Sequence, residues 1–227
     1  MSELVVVENV TRTYSLGKTT VRAVRGVSLE IHRGDFVATV GPSGSGKTTL
    51  LNLIGCLDKP TTGTILFEGE NTSVLTRTRL ADIRNEKIGF VFQHFNLIPV
   101  LTAYENVEFP LLLKKMSGEE RKETVATALE KVGLHDKMER KPLELSGGEQ
   151  QRVAVARALA GNPDIVLADE PTGDLDSEMG SRVIQLMKEL NKEGTTFVFS
   201  THDPAIMEYA RRIVTLHDGK IVSDKRR

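Results

Sequence analysis

The sequence predicts an α/β fold. A mostly parallel sheet is covered by helices on both faces, with an antiparallel β part near the N-terminus and an α-helical insertion in the middle. Three observations predict it. Apolar runs of strand length stand at Phe36–Val40, Ile88–Phe92 and Asp164–Ala168, the last of the kind buried on both faces. Stripes with helical spacing stand between and after them, such as Leu50, Leu51, Leu53, Ile54 and Leu57, or Met179, Val183, Leu186, Met187 and Leu190. Strands that alternate with helices pair in parallel through covered crossovers, and from about Asn96 to Asn162 helical pattern alone dominates. The reading is one domain over residues 1–227, with a core of about 1–93 and 164–227 and a helical subdomain of about 94–163.

Each element has its own signal. Leu4 to Val10 reads as a strand, and Tyr14 follows in a polar segment. Val21 to Ile31 alternates in part, as a strand with one wet face does. Arg33-Gly34 turns the chain into Phe36–Val40, and a helix begins near Lys47. Pro60 and Gly63 mark a turn before a short strand, Thr64 to Glu68. Thr76 to Glu86 is helical. Ser117 and Glu120 form a capping box for a helix that buries Val125, Leu129 and Val132 and stops at Gly133. Pro142 interrupts the chain before a helix from Glu149 to Leu159. Ser177 to Glu193 is a helix and Thr195 to Ser200 a strand. Asp203-Pro204 caps and starts a further helix. Ile213 to Leu216 and Lys220 to Val222 pair around Asp218-Gly219, and Lys225-Arg226-Arg227 is expected as a solvated tail.

Composition narrows the function classes. With 39% hydrophobic and 27% charged residues the chain has material for a core, and a net charge of −1 offers no basic face for nucleic acid. Cys56 is the single cysteine, so no intrachain disulfide can form; a buried thiol is expected. The N-terminal residues lack the basic start and long apolar stretch of a signal peptide. The longest stretch without Asp, Glu, Lys or Arg, Ile88 to Tyr104, holds Gln93, His94, Asn96 and Pro99, and spanning takes about 20 mostly apolar residues. A cytosolic protein is expected.

The chemistry is concentrated at Gly41, Pro42, Ser43, Gly44, Ser45, Gly46, Lys47, Thr48 and Thr49, which fit G-x-x-x-x-G-K-[ST] between a strand and a helix. Glycines let backbone N–H groups converge on an anion, and the helix start adds its positive end. Lys47 can reach the β- and γ-phosphates, and the Thr48 hydroxyl can ligate Mg²⁺. The strand after Asp164 ends in Asp169-Glu170. Neighbours on a strand face opposite ways, which suits Asp169 as a holder of Mg²⁺ and Glu170 as the general base on an attacking water. Other positions carry two readings each. Ser146, Gly147, Gly148 and Glu149 are a capping box and also a second anion site. His202 is a structural residue or reaches a γ-phosphate. Gln93 is a loop residue or binds Mg²⁺ or water. Tyr14 packs on the sheet, which spacing favours, or stacks on a base.

The order GPSGSGKT, Gln93, LSGGEQ, IVLADE, GDLD, His202 resembles the ATP-binding subunit of ABC transporters over nearly the whole chain. The resemblance implies a P-loop NTPase core of RecA-like type, with ATP and Mg²⁺ as cofactors. It implies that Tyr14 stacks on adenine, that Thr48 and Asp169 meet the metal, that Gln93 touches the metal and senses the membrane partner, that Glu170 is the catalytic base and His202 the γ-phosphate switch, and that Asp176 crosses a dimer contact. It also implies a homodimer that forms on ATP binding, with Ser146, Gly147, Gly148 and Glu149 of one copy closing on the nucleotide of the other. Asp174 departs from the pattern, which usually has a small or amide residue there, and the extra carboxylate is expected to weaken the closed dimer through like-charge contact. The segments Gly55–Pro60 and Phe90–Pro99 are similar to the subgroup of lipoprotein-releasing and macrolide-exporting ATPases. That likeness implies an integral membrane permease as partner, an exporter or mechanotransmission role, a docking groove at the uncharged stretch, and a cytoplasmic subunit peripheral on the inner face of the membrane. Two alternatives stand beside it: a regulatory ATPase that drives cell-wall remodelling through a permease-like partner, and a soluble ABC-type ATPase. No nucleic-acid partner is expected.

Overall fold

A computed structural model describes residues 2–17 and 19–227. In chain order its elements are β1 (Glu3–Leu16), β2 (Thr19–His32), β3 (Phe36–Val40), α1 (Lys47–Ile54), β4 (Thr62–Phe67), β5 (Glu70–Asn71), α2 (Arg77–Lys87), β6 (Ile88–Phe92), α3 (Ala103–Glu108), α4 (Gly118–Lys131), α5 (Gly147–Ala160), β7 (Ile165–Asp169), α6 (Ser177–Lys192), β8 (Thr196–Thr201), α7 (Pro204–Met207), β9 (Arg212–His217) and β10 (Lys220–Arg226), with short 3₁₀ turns between them. Two sheets result, a four-stranded one in the order β2-β1-β4-β5 and a six-stranded one in the order β10-β9-β3-β8-β7-β6. The first is antiparallel. The second is parallel except for the pairing of β9 with β10.

Side-chain alternation explains why the parallel strands are apolar throughout. Phe36, Ala38, Val40, Val166, Ala168, Phe197 and Phe199 pack on one face, with Val107, Val125, Leu129, Val153, Ile184 and Met187 of the helices. Val37, Ile165, Leu167 and Val198 point to the other face, where α1 and the antiparallel sheet supply Leu50, Leu53, Ile54, Val7 and Ile65. Each large side chain buried this way contributes about 1.5–3 kcal/mol. Cys56 lies in the second cluster, and burial pushes its thiol pKa up to about 11.

Helix ends follow the sequence signals. Capping boxes form at Ser117–Glu120 and Ser146–Glu149, and a further one at Thr102–Glu105. Thr76 caps α2, and Gly133 takes a left-handed φ of 68° after α4. Two expectations change, at β1 and at the C-terminus, and the helical middle gains a helix at Ala103–Glu108. Strand β1 runs on to Leu16 because β2 continues to pair with it, so Tyr14 sits on a strand, opposite Val21. The helical middle is three separate helices, with 3₁₀ turns at Phe109–Leu113 and Pro142–Glu144, where prolines stand at the turn starts. The basic C-terminus is no free tail. Lys225 and Arg226 pair with β9, and Arg227 is bidentate to Glu208 at 2.9 and 3.0 Å.

What positions the site is the row of parallel strand ends. Val40 of β3 pairs with Thr201 of β8, Ala168 of β7 with Phe199, and Phe92 of β6 with Asp169. The C-terminal tips of β3, β8, β7 and β6 are therefore neighbours, and they carry Gly41, His202, Glu170 and Gln93. In open α/β sheets the crevice outside these ends is where ligands bind.

Candidate active site

The loop after β3 can close only with glycine at its first and sixth positions. Gly41 has φ 149° and Gly46 φ 102°. A Cβ on Gly41 would come within 2.1 Å of the Leu216 carbonyl oxygen, and one on Gly46 within 2.4 Å of Ala23 O. Gly46 caps α1 with no side-chain hydrogen bond, and the first turn has no acid. The first N–H groups of α1 thus keep their donors and their positive end for an anion.

Lys47 is 7% exposed, and its Nζ donates to Gly41 O at 2.8 Å and Pro42 O at 3.3 Å. A buried ammonium needs such partners, and here they hold it over the loop. The Ser45 hydroxyl, also buried, has no hydrogen-bond partner among the described residues. An orphaned donor inside a concave loop is what an anion-binding cradle leaves for its ligand.

The two acids meet this loop. Thr48 Oγ1 donates to Asp169 Oδ1 at 3.1 Å, and Ser200 Oγ donates to the same oxygen at 2.6 Å. Glu170 lies beyond the strand with φ 47°, and its N–H donates to Ser200 Oγ at 2.8 Å. The left-handed residue swings its side chain out of strand alternation. Glu170 Oε1 then lies 3.7 Å from Lys47 Nζ, and Oε2 lies 2.8 Å from His202 Nδ1. One connected set results: Lys47, Thr48, Asp169, Glu170, Ser200 and His202.

Tyr14 lines one cleft of ≈ 380 Å³ with Gly44, Ser45, Gly46, Lys47, Thr48 and Thr49. Its hydroxyl donates to Asp58 Oδ2 at 2.7 Å, and the Arg12 guanidinium lies 4.5 Å from its ring centroid. Arg12 Nε is 2.8 Å from the same Asp58 oxygen. The ring is fixed at the cleft rim by these contacts.

The remaining candidates lie apart from that set. Gln93 Nε2 donates to Asp174 Oδ1 at 2.8 Å and has no hydrogen bond to Thr48, Asp169 or Glu170. Ser146, Gly148 and Glu149 line a different cavity, beside Met179 and Arg182. There the capping reading holds: Ser146 Oγ accepts from Glu149 N–H at 3.3 Å, and Ser146 N–H donates to Glu149 Oε2 at 2.8 Å. An ion pair with Lys137 and that backbone N–H hold the Glu149 pKa at about 2. Gly147 and Gly148 occupy the first turn, so their N–H groups lack helical acceptors. Asp176 caps α6 by accepting from Met179 N–H at 2.9 Å.

Sequence reasoning passed over three contributors. Ser200 was only the end of a strand, although a hydroxyl closing an apolar run is a signal. Gln151 is fully buried and donates to Pro171 O at 2.5 Å and Phe92 O at 3.3 Å, tying the tips of β6 and β7. Asp58 anchors Tyr14 from 44 residues away, and nothing local announces that.

Fold and site together define a nucleotide hydrolase of the phosphate-loop type, and comparison with known proteins narrows this. The model of the family described as ABC transporter matches residues 24–173. An uncharacterized ABC transporter ATP-binding protein of Methanocaldococcus jannaschii, MJ0796, is 50% identical over 228 residues, covering 98% of this chain and 97% of that protein. A macrolide export ATP-binding/permease protein, MacB, of Hyphomonas neptunium is 48% identical over 221 residues, and this chain spans 34% of its length. A dimeric structure of the MJ0796 cassette bound to ADP and Pi aligns with a TM-score of 0.90 at 49% identity, covering 98% of each chain. The chain belongs to the ABC transporter family. It is an ATP-binding cassette and an ATPase of that family.

Proposed function

We propose that this chain is the motor subunit of an ABC transporter of exporter or mechanotransmission type, working as a homodimer that ATP closes around two nucleotides. In this reading the loop from Gly41 to Thr49 cups the triphosphate and Tyr14 stacks on adenine. Lys47 leaves its loop carbonyls to meet the β- and γ-phosphates. Thr48 and Asp169 would hold Mg²⁺. Their hard oxygen donors, 3.1 Å apart, suit that ion, which when bound neutralises charge on the phosphates. Glu170 takes the proton of the attacking water and His202 orients it. Gln93 meets the metal or the water. Ser146, Gly147, Gly148, Glu149 and Asp176 act across the dimer on the partner's nucleotide, which accounts for their placement outside this subunit's own cleft.

The observation that carries this reading is the contact of Glu170 with both Lys47 and His202, beside the Thr48–Asp169 pair. The dimeric relative bound to ADP and Pi supports the sandwich. For the permease, the support is an apolar depression of ≈ 430 Å³ lined by Leu57, Phe90, Phe92, Phe109 and Leu113. Leu57, Phe109 and Leu113 are 47%, 54% and 78% exposed; with Arg84, Lys114 and Arg157 also among the lining residues, this is an exposed apolar patch edged by cations, which suits an interface. No helix among the described residues is long and apolar enough to cross a membrane. A permease would hold the cassette at the inner membrane face. The test is Glu170→Gln on a sizing column. It should elute as a dimer with Mg²⁺ and ATP and as a monomer with ADP. A monomer under both conditions would remove the sandwich.

A further inference from the structure

One carboxylate ties the loop after β6 to the turn after β7. Gln93 Nε2 donates to Asp174 Oδ1 at 2.8 Å, and His94 Nδ1 lies 2.6 Å from Asp174 Oδ2. The Gln93 amide first, then His94, hold the Asp174 carboxyl below its ordinary range. The surroundings make this a fixed arrangement. Phe92 pairs with Asp169, so Gln93 leaves the sheet beside Glu170. Gly173 N–H donates to Glu170 O at 3.0 Å and closes the turn. The Gln93 amide lies against that turn: a Cβ on Gly173 would stand 2.9 Å from its carbon and nitrogen. Beneath, Gln151 bonds both segments through Phe92 O and Pro171 O.

An amide is planar, with donors at one end and the acceptor at the other. Asp174 takes the donor end of Gln93, which fixes the direction of the carbonyl oxygen, the one side-chain atom able to meet a cation or accept from water. In this position Gln93 has no hydrogen bond to Thr48, Asp169 or Glu170, while His94, the other partner of Asp174, is 76% exposed. We propose that Asp174 is a positioning residue that holds Gln93 withdrawn from the reaction centre, so that its grip sets how slowly the cassette turns over alone. The proposal rests on the reading of Gln93 as the side chain that meets the metal or the water. It also gives the extra carboxylate of this chain's GDLD segment a role within one subunit.

The test is steady-state ATP hydrolysis by the full chain with Mg²⁺. Asp174→Ala should raise kcat by about three- to tenfold, the scale of one exposed charged hydrogen bond, and leave KM for ATP unchanged. Asp174→Asn keeps an oxygen acceptor for Gln93 and should stay near wild type. Gln93→Ala should lower kcat, and adding Asp174→Ala to it should change nothing further. An unchanged or lowered kcat in Asp174→Ala overturns the proposal. So does an Asp174→Asn as fast as Asp174→Ala, or an equal gain in the Gln93→Ala background, since either would trace the effect to like charges meeting in the dimer. Wild-type turnover in Gln93→Ala alone would instead remove the reading of Gln93, and the proposal with it.

Discussion

Glu170 spans two basic side chains: one carboxylate oxygen lies 3.7 Å from Lys47 Nζ and the other 2.8 Å from His202 Nδ1. The carboxylate is therefore oriented from both sides, by the loop before α1 and by the residue after β8. His202 is 71% exposed and contributes little to the core. Replacing it with alanine should leave stability and ATP affinity nearly unchanged and lower kcat by about 100-fold, the lower end of the range for a positioned acid–base group. Steady-state kinetics beside a nucleotide titration check this.

Lys47 is held by two loop carbonyls, which a phosphate replaces as its partner in the proposed function. Lys47→Ala should weaken ATP binding by at least about tenfold, since one charge-assisted hydrogen bond is worth about 1.5–3 kcal/mol. Calorimetry with ATP measures it, and unchanged affinity would contradict the loop reading.

Ser200 accepts from Glu170 N–H and donates to Asp169. Alanine there leaves a part-buried N–H without its acceptor. The expected cost is about 1–3 kcal/mol of stability by urea unfolding, with a fall in kcat because both acids lose a reference point.

The Tyr14 ring, fixed by Asp58 and Arg12, should matter for the base and not for the phosphates. Tyr14→Ala should weaken ATP and leave inorganic tripolyphosphate binding as it was. Equal weakening of both would mean that the ring only packs.

Glu149 is held at a pKa of about 2 against an ordinary 4.5, mainly by Lys137. A folded-state pKa below the unfolded one stabilises above the unfolded value. That contribution is complete above pH 4.5 and fades as pH falls toward 2. Wild type should therefore exceed Glu149→Gln in stability at pH 6, and the gap should narrow below pH 4.5. Urea unfolding of both proteins across that range reads the gap directly.

Much of this was legible in the chain. The phosphate loop, the acidic tip at Asp169-Glu170, and the capping boxes at Ser117 and Ser146 are local patterns with local physical causes, and each forms where its residues predicted. Strand alternation at Asp169-Glu170 predicted two directions, and the left-handed φ of Glu170 produces the division by a different route. What stayed hidden depends on residues far apart in sequence. The tie from Gln151 to Pro171 and the pairing of Asp174 with Gln93 arise only when the parallel strand tips come together, and the Asp58 anchor of Tyr14 only when the turn after α1 meets β1 of the antiparallel sheet. The basic C-terminus misled because three charges read as solvated, while the pairing of β10 with β9 is a backbone matter that side-chain polarity does not report.

The claim on which the rest depends is that Glu170 activates the water that attacks the terminal phosphate held by the loop. Phosphate release at saturating Mg²⁺ and ATP, compared between wild type and Glu170→Gln, tests it most directly. The account predicts loss of at least about a hundredfold in rate with ATP affinity retained. Turnover at the wild-type rate in that variant would contradict it.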